Sequence, residues 1–435
     1  MRLVAPVAIA LALSVFAGCL DATAFECVTD TQCSVGQTRG VCEITGFCSL
    51  PDFSCRSGRR YDRSAGSGFD GTCVAQDCLV RLSASDTHTC GVVNGRIRCW
   101  GDNARGQLGD GTTTDSDLPV LVNQLVEVGQ VDTGGSFSCA IAGQNTAHCW
   151  GAGTAGQLGN TEFSDSRRPE RVDSDDCGGS LIAVTAGDEH ACGITAGRNV
   201  CCWGNNASGR LGINVGGFLS KARPVEGLPD AVEVSAGGGH TCAIDVDGIL
   251  WCWGDNTAGQ LGDGSLVSSA RPVMVPLAQV REVSAGRNHT CALTRDDRLH
   301  CWGDDSDGQL GDSAAGDSSS SPVQLGLDLV AGVSAGARHT CARLADHTAL
   351  CWGFGEDGQL GDGGVISTSS PAPVAGIGDA YDVVAGEIHS CVVRGDGSAA
   401  CWGGNGSGEL GAPGEVTFGI PSPTPVTVTL EGCGG

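Results

Sequence analysis

The chain has 435 residues, a formal net charge of −25, a single lysine (Lys221) and 25 cysteines. That balance excludes nucleic acid and a polybasic membrane contact, both of which call for clustered positive side chains. Seventy glycines and an aromatic content of 5% point to many tight turns.

Reading from the N-terminus, Arg2 precedes fifteen uncharged, mostly apolar residues, Leu3 to Ala17, and then Gly18-Cys19. The run is too short to cross a bilayer as a stable helix and has the layout of a secretory signal. Ala17-Gly18-Cys19 resembles a bacterial lipobox, with Phe16 a less usual residue ahead of it. The resemblance implies residues 1–18 as a lipoprotein-type signal peptide and Cys19 as the lipidation site; an ordinary cleaved signal that leaves Cys19 free is the alternative. Leu20 is not the aspartate linked to inner-membrane retention, so the expected location is the cell envelope, as an outer-membrane lipoprotein, or the extracellular space. Residues 19–78 form a cysteine-rich segment. Cys27, Cys33, Cys42, Cys48, Cys55 and Cys73 show no Cys-x-x-Cys spacing and read as a three-bridge mini-domain whose connectivity stays open. It is either a spacer or a binding module.

From residue 79 to 435 one unit recurs seven times. Cys-Trp-Gly appears at Trp100, Trp150, Trp203, Trp253, Trp302, Trp352 and Trp402, 49 to 53 residues apart, each with a second cysteine upstream and a Gly-Gln-Leu-Gly-Asp-like turn downstream. The apolar runs are short and β-branched, with no helical period. Four short strands per unit predict an all-β fold, a seven-bladed β-propeller preceded by the small disulfide-rich domain. The stretch Val234 to Gly264, VSAGGGHTCAIDVDGILWCWGDNTAGQLGDG, resembles the repeat of the regulator of chromosome condensation family. That resemblance implies the propeller and leaves function open, since the family includes nuclear exchange factors, a plant photoreceptor and secreted bacterial inhibitors.

The cysteines follow from strand pairing in an oxidising compartment. In the first unit Asn94-Gly95 is a two-residue hairpin signal, and pairing outward from it matches Val93 with Arg96 and Cys90 with Cys99. The other six units have one more residue in the loop, which gives staples Cys139–Cys149, Cys192–Cys202, Cys242–Cys252, Cys291–Cys301, Cys341–Cys351 and Cys391–Cys401. Zinc is the rival reading, because His289, Cys291 and Cys301 alternate toward one face; disulfide formation removes its thiolates. Cys78 and Cys433 fall at one point of the circular repeat and are expected to clasp the ring. Cys201 faces away from the staple and pairs with Cys177 in the insertion DSDDCGG.

Nothing assembles a catalytic set, and no metal or cofactor is expected. Six histidines (His88, His190, His240, His289, His339 and His389) repeat with the architecture, which favours a structural role; Phe137 stands at this position in the second unit. The Trp that the photoreceptor carries after the glycine of Ala-Gly-x-x-His is missing from all seven units. The two residues between that glycine and the histidine vary, and unit equivalence places them in a ring on one face. Asp86, Asp188, Glu189, Arg287, Asn288, Arg338 and Glu387 are its charged and polar members and the candidate binding residues. The expected function is a surface-anchored, non-enzymatic scaffold for an envelope or extracellular protein. It would be monomeric and touch the membrane through its lipid alone. The alternatives are nucleotide-exchange-like activity, which export disfavours, and a secreted hydrolase using channel carboxylates.

Overall fold

In the computed structural model the described residues are 79–430, apart from residue 315, together with short strands between Ser34 and Tyr61. The chain divides into two compact units, residues 1–74 and 75–435. In the first, Val41–Cys42, Cys48–Pro51 and Arg59–Tyr61 form a three-stranded antiparallel sheet whose register sets Cys42 opposite Cys48. Cys19, Cys27, Cys33, Cys55, Cys73, Cys78 and Cys433 lie outside the described residues.

The second unit is a seven-bladed propeller of four-stranded antiparallel sheets, each blade built from strands consecutive in sequence. The first blade comprises Leu79–Ala84, His88–Val93, Arg96–Gly101 and Ser116–Leu121, from the channel outward. Its central hairpin turns at Asn94 and Gly95, both at positive φ (52° and 68°), as a type I′ turn requires. The register then sets Cys90 against Cys99. All seven staples are closed, with Cα atoms 4.0 to 4.1 Å apart, and Cys177–Cys201 is closed beside the third blade.

Adjacent blades are joined by a repeated polar node. In the first blade His88 Nε2 meets Ser138 Oγ of the second at 2.8 Å, and that hydroxyl donates to the Gln107 carbonyl of the first at 3.0 Å. The indole N–H of Trp150 donates to the same carbonyl at 2.8 Å. A hydroxyl has one proton. Since it goes to the carbonyl, the oxygen accepts from His88, which fixes the imidazole as the Nε2–H tautomer. Equivalent histidine–hydroxyl contacts of 2.7 to 2.9 Å join His190 to Thr241, His240 to Thr290, His289 to Thr340, His339 to Ser390 and His389 to Thr89. The last of these closes the ring, with Trp100 Nε1 and Thr89 Oγ1 both donating to the Glu409 carbonyl. The seven tryptophans are fully buried, and beyond packing beside the staples they bridge to the preceding blade. The indole also dictates a glycine: a Cβ on Gly262, at φ +71°, would lie 2.4 Å from Trp302 Nε1.

One junction is different. Between the second and third blades Phe137 replaces the histidine, and Ala191 replaces the hydroxyl it would have met. Removing both members of a buried polar pair strands no donor or acceptor, whereas removing one does.

Burial holds the histidines neutral, depressing His240, His339 and His389 to about 3 and His88 and His289 to about 4. The unfolded chain takes protons near pH 6.5, so this share of stability is complete above that pH and is lost as pH falls toward 3–4. We expect His339→Phe and Ser390→Ala each to cost about 1–3 kcal/mol, and the double variant to fall at least about 1 kcal/mol short of their sum. His339→Phe should also lose stability less steeply between pH 6.5 and 4 than the unaltered protein. Denaturant unfolding across that range checks both.

Candidate binding face at the channel mouth

Five of the innermost strands end in Ala-Gly, the second in Thr133-Gly134 and the first in Ala84-Ser85, where neighbouring blades crowd together. A Cβ on Gly286 would lie 2.4 Å from the Gly336 carbonyl. The next residue's amide then donates to the adjacent blade: Asp188 to Gly237, Arg287 to Gly336 and Glu387 to Ser85, at 3.4, 3.2 and 3.1 Å. These bonds tie the first member of each variable pair to the channel rim, while the second member turns outward. The predicted ring therefore separates into two sets.

The inward set converges. Arg287 Nη1 lies 2.6 Å from Glu387 Oε1, its Nη2 3.3 Å from Asp86 Oδ1 and its Nε 3.6 Å from Asp188 Oδ2. One guanidinium from the fifth blade thus gathers carboxylates from the seventh, first and third, each about a third exposed. Burial, with Asp188 and Glu387 nearby, raises Asp86 to about 7 against the opposing pull of Arg287. Burial raises Asp188 as well. Burial alone would lower Arg287, and the three carboxylates more than offset it.

The outward set is locked into turns of its own. Glu189 accepts from Asn205 Nδ2 at 2.7 Å. Arg338 forms a two-bond fork to Asp307, 2.7 Å in each limb, and lies 4.0 Å over the Phe354 ring. Asn288, with Arg105, Arg210 and Asp255, lines a bowl of about 650 Å³ that opens beside Arg287. The channel beneath is narrower, about 200 Å³, and walled mostly by Ser, Thr, Ala and Gly at the ends of the innermost strands, with Asp132 from the second blade. Among the described residues no three His, Cys, Asp or Glu side chains converge as a metal site.

Sequence reasoning missed the periphery of this face. The loops between the third and outermost strands open on the same side, as Asp102 N bonding to Thr87 O shows in the first blade. Their tips carry exposed apolar side chains: Phe163 in the second blade, Val215 in the third, Leu266 and Val267 in the fourth, Val365 and Ile366 in the sixth, Phe418 and Ile420 in the seventh. The signal was in the sequence, as apolar residues where turn chemistry asks only for Gly, Asp and Ser, but the cysteine and Trp-Gly frame does not mark those positions.

Fold and site together define a seven-bladed propeller with its polar variation gathered at one channel mouth. Models of the "Regulator of chromosome condensation (RCC1) repeat" match residues 94–141, 144–194, 199–244, 247–293, 296–343 and 346–393, and a second model of that repeat matches 181–210, 231–260, 280–309 and 330–359. The chain belongs to the RCC1 repeat family. Each of the six longer matches begins in or beside one blade's hairpin and ends within the next blade, so the family's unit contains the blade junction.

Among curated proteins, the human E3 ubiquitin-protein ligase HERC2 is 27% identical over 152 residues, 34% of this chain and 3% of the ligase. Among solved structures, Prp20p from Saccharomyces cerevisiae aligns with a TM-score of 0.69 at 20% identity, covering 82% of this chain and 88% of that one. Human WBSCR16 aligns with a TM-score of 0.66 at 20% identity, covering 79% and 95%. At such identities these structures share the fold alone.

The Arg287 cluster has a defined pH dependence. A carboxyl raised from 3.8 to about 7 adds stability that is complete below pH 4 and lost as pH rises through 7. Arg287→Gln removes the opposing charge at Asp86 and the larger of the two at Asp188, and pushes both carboxyls higher. Its melting temperature should therefore match the unaltered protein near pH 5 and fall progressively below it toward pH 8, read by scanning fluorimetry.

Proposed function

We propose that this propeller is a non-enzymatic binding disc that works outside the cytoplasm and grips a protein partner with its channel-mouth face. The observation that carries this reading is the collar of apolar loops around the charged channel mouth. Eight exposed large apolar side chains sit on the loops of the channel-mouth face, around a charged centre. A rigid frame presenting adaptable loops is the usual arrangement for recognition, and exposed apolar residues rimmed by polar ones mark interaction surfaces. Eight closed disulfides among the described residues support an oxidising compartment. A lipid anchor at Cys19 would hold the disc at the outer membrane or cell surface. The partner class in this reading is an envelope or extracellular protein.

The test is a crosslinking pull-down from intact envelopes and culture medium with the oxidised chain from Leu20 onward. Two altered baits run beside it, one with Asp188, Glu189 and Glu387 changed to lysine and one with Leu266, Val267 and Ile366 changed to serine. A protein captured by the unaltered bait should be lost, or reduced at least about tenfold, with either variant. Equal capture by all three baits would contradict the assignment of this face.

A further inference from the structure

The fifth blade departs from its neighbours at one buried position. The second residue after Trp-Gly is Asn103, Gly153, Asn206, Asn256, Asp305, Gly355 and Asn405 in blade order. Where it is asparagine, Oδ1 accepts the backbone amide of the leucine in the Gly-Gln-Leu-Gly turn, at 3.0 Å for Asn103 and 2.9 Å for Asn256. The Nδ2 group then donates into a nest of oxygens formed by the loop ahead. For Asn256 these are Asp263 Oδ1 at 3.3 Å, Ser265 O at 3.1 Å, Ser265 Oγ at 3.2 Å and Val267 O at 3.2 Å. For Asn103 they are Asp110 Oδ1, Thr112 Oγ1 and Thr114 O.

Asp305 keeps half of this arrangement. Its Oδ1 accepts from Leu310 N at 2.8 Å, so its other oxygen, Oδ2, stands where the NH2 group would be. The residue is fully buried, and Oδ2 has no hydrogen-bond partner. Asp312 is the counterpart of Asp110 and Asp263, so the loop ahead brings a second carboxylate whose charge acts on Asp305. Burial first, then the charges of Asp312, Asp304 and Asp317, push the Asp305 carboxyl up to about 6. A fully buried carboxylate oxygen without a donor calls for a positive centre.

We propose that this nest in the fifth blade binds a hard divalent cation, calcium foremost, with Asp305 and Asp312 as its carboxylate ligands. Water would complete the oxygen shell that calcium prefers. Two carboxylates make a weak site, with a dissociation constant in the ~10⁻⁴–10⁻³ M range of extracellular modules. Glycine at this position in the second and sixth blades, and asparagine in the other four, leave the fifth as the candidate for metal.

The experiment uses the whole oxidised protein, stripped with chelator near neutral pH, and reads thermal unfolding with and without about 5 mM calcium chloride, alongside calorimetric titration of calcium alone. Asp305→Asn is the informative variant because it restores the amide that four other blades carry and so preserves the loop. Calcium should raise the melting temperature of the unaltered protein by about 1–3 °C at roughly tenfold excess over the dissociation constant. Asp305→Asn should show no calcium shift and a metal-free melting temperature at or above that of the unaltered protein. Persistence of the shift in Asp305→Asn would overturn the assignment, because the ion would then bind elsewhere. So would indifference of the unaltered protein to calcium, magnesium and manganese. If that indifference came with a metal-free stability that falls as pH rises through 6, and that Asp305→Asn abolishes, a proton would be the occupant.

Discussion

The propeller depends on one carbonyl oxygen per blade junction. The glutamine carbonyl of the Gly-Gln-Leu-Gly turn, or its counterpart at Arg210 and Glu409, accepts from the next blade's indole, and in six of the seven junctions from the next blade's hydroxyl as well. A histidine from the first of the two blades then donates to that hydroxyl. Apart from Arg210, each of these residues is buried, so leaving any one unmatched costs more than the bond itself is worth. The blades are stacked by directional contacts as much as by apolar packing, which suits a chain with few aromatic residues. The node also lies one or two residues beyond the variable pair. Rigidity at the junction is therefore transmitted directly to the side chains at the channel mouth.

The staples act within blades and the nodes between them, which divides the structural labour. A disulfide holds the two central strands of a sheet together, but nothing in it orients one sheet against the next. At the closure of the ring Val384 stands where five other blades place a serine or threonine, so the hydroxyl that accepts from the next blade's amide, an alanine in four and Thr133 in the fifth, has no equivalent there. Closure rests instead on His389 with Thr89, on the Glu409 carbonyl, and on an apolar cluster joining Leu82, Val93 and Trp100 to Leu410, Val426 and Leu430.

Much of this was legible in the sequence, and the reason is local geometry. The Asn94-Gly95 turn and the period of two fix the strand register, and the register fixes the cysteine pairs without further information. Cys177 with Cys201 followed from the same alternation. The channel-mouth residues could be placed on a face, but not divided. Which of Asp188 and Glu189 points inward depends on how closely neighbouring backbones approach at glycine, which lies outside a single repeat. The coupled change of His to Phe137 and hydroxyl to Ala191 was visible in adjacent repeats, yet its meaning required knowing that the two positions meet. Asp305 reads as ordinary turn chemistry until the structure shows it fully buried with its second oxygen unpartnered.

The two faces of the disc now differ in kind. One is made of tight hairpins that follow the staples. The other carries a charged centre whose protonation changes near neutral pH, and a broken collar of apolar loop tips. The most direct measurement of that distinction is hydrogen exchange on the complex with a captured partner. Protection confined to the Ala-Gly ends of the innermost strands and to the loops around Phe163, Leu266 and Ile366 is the result expected. Protection centred on the hairpins at residues 94–95, 246–248 and 296–298 would contradict the account.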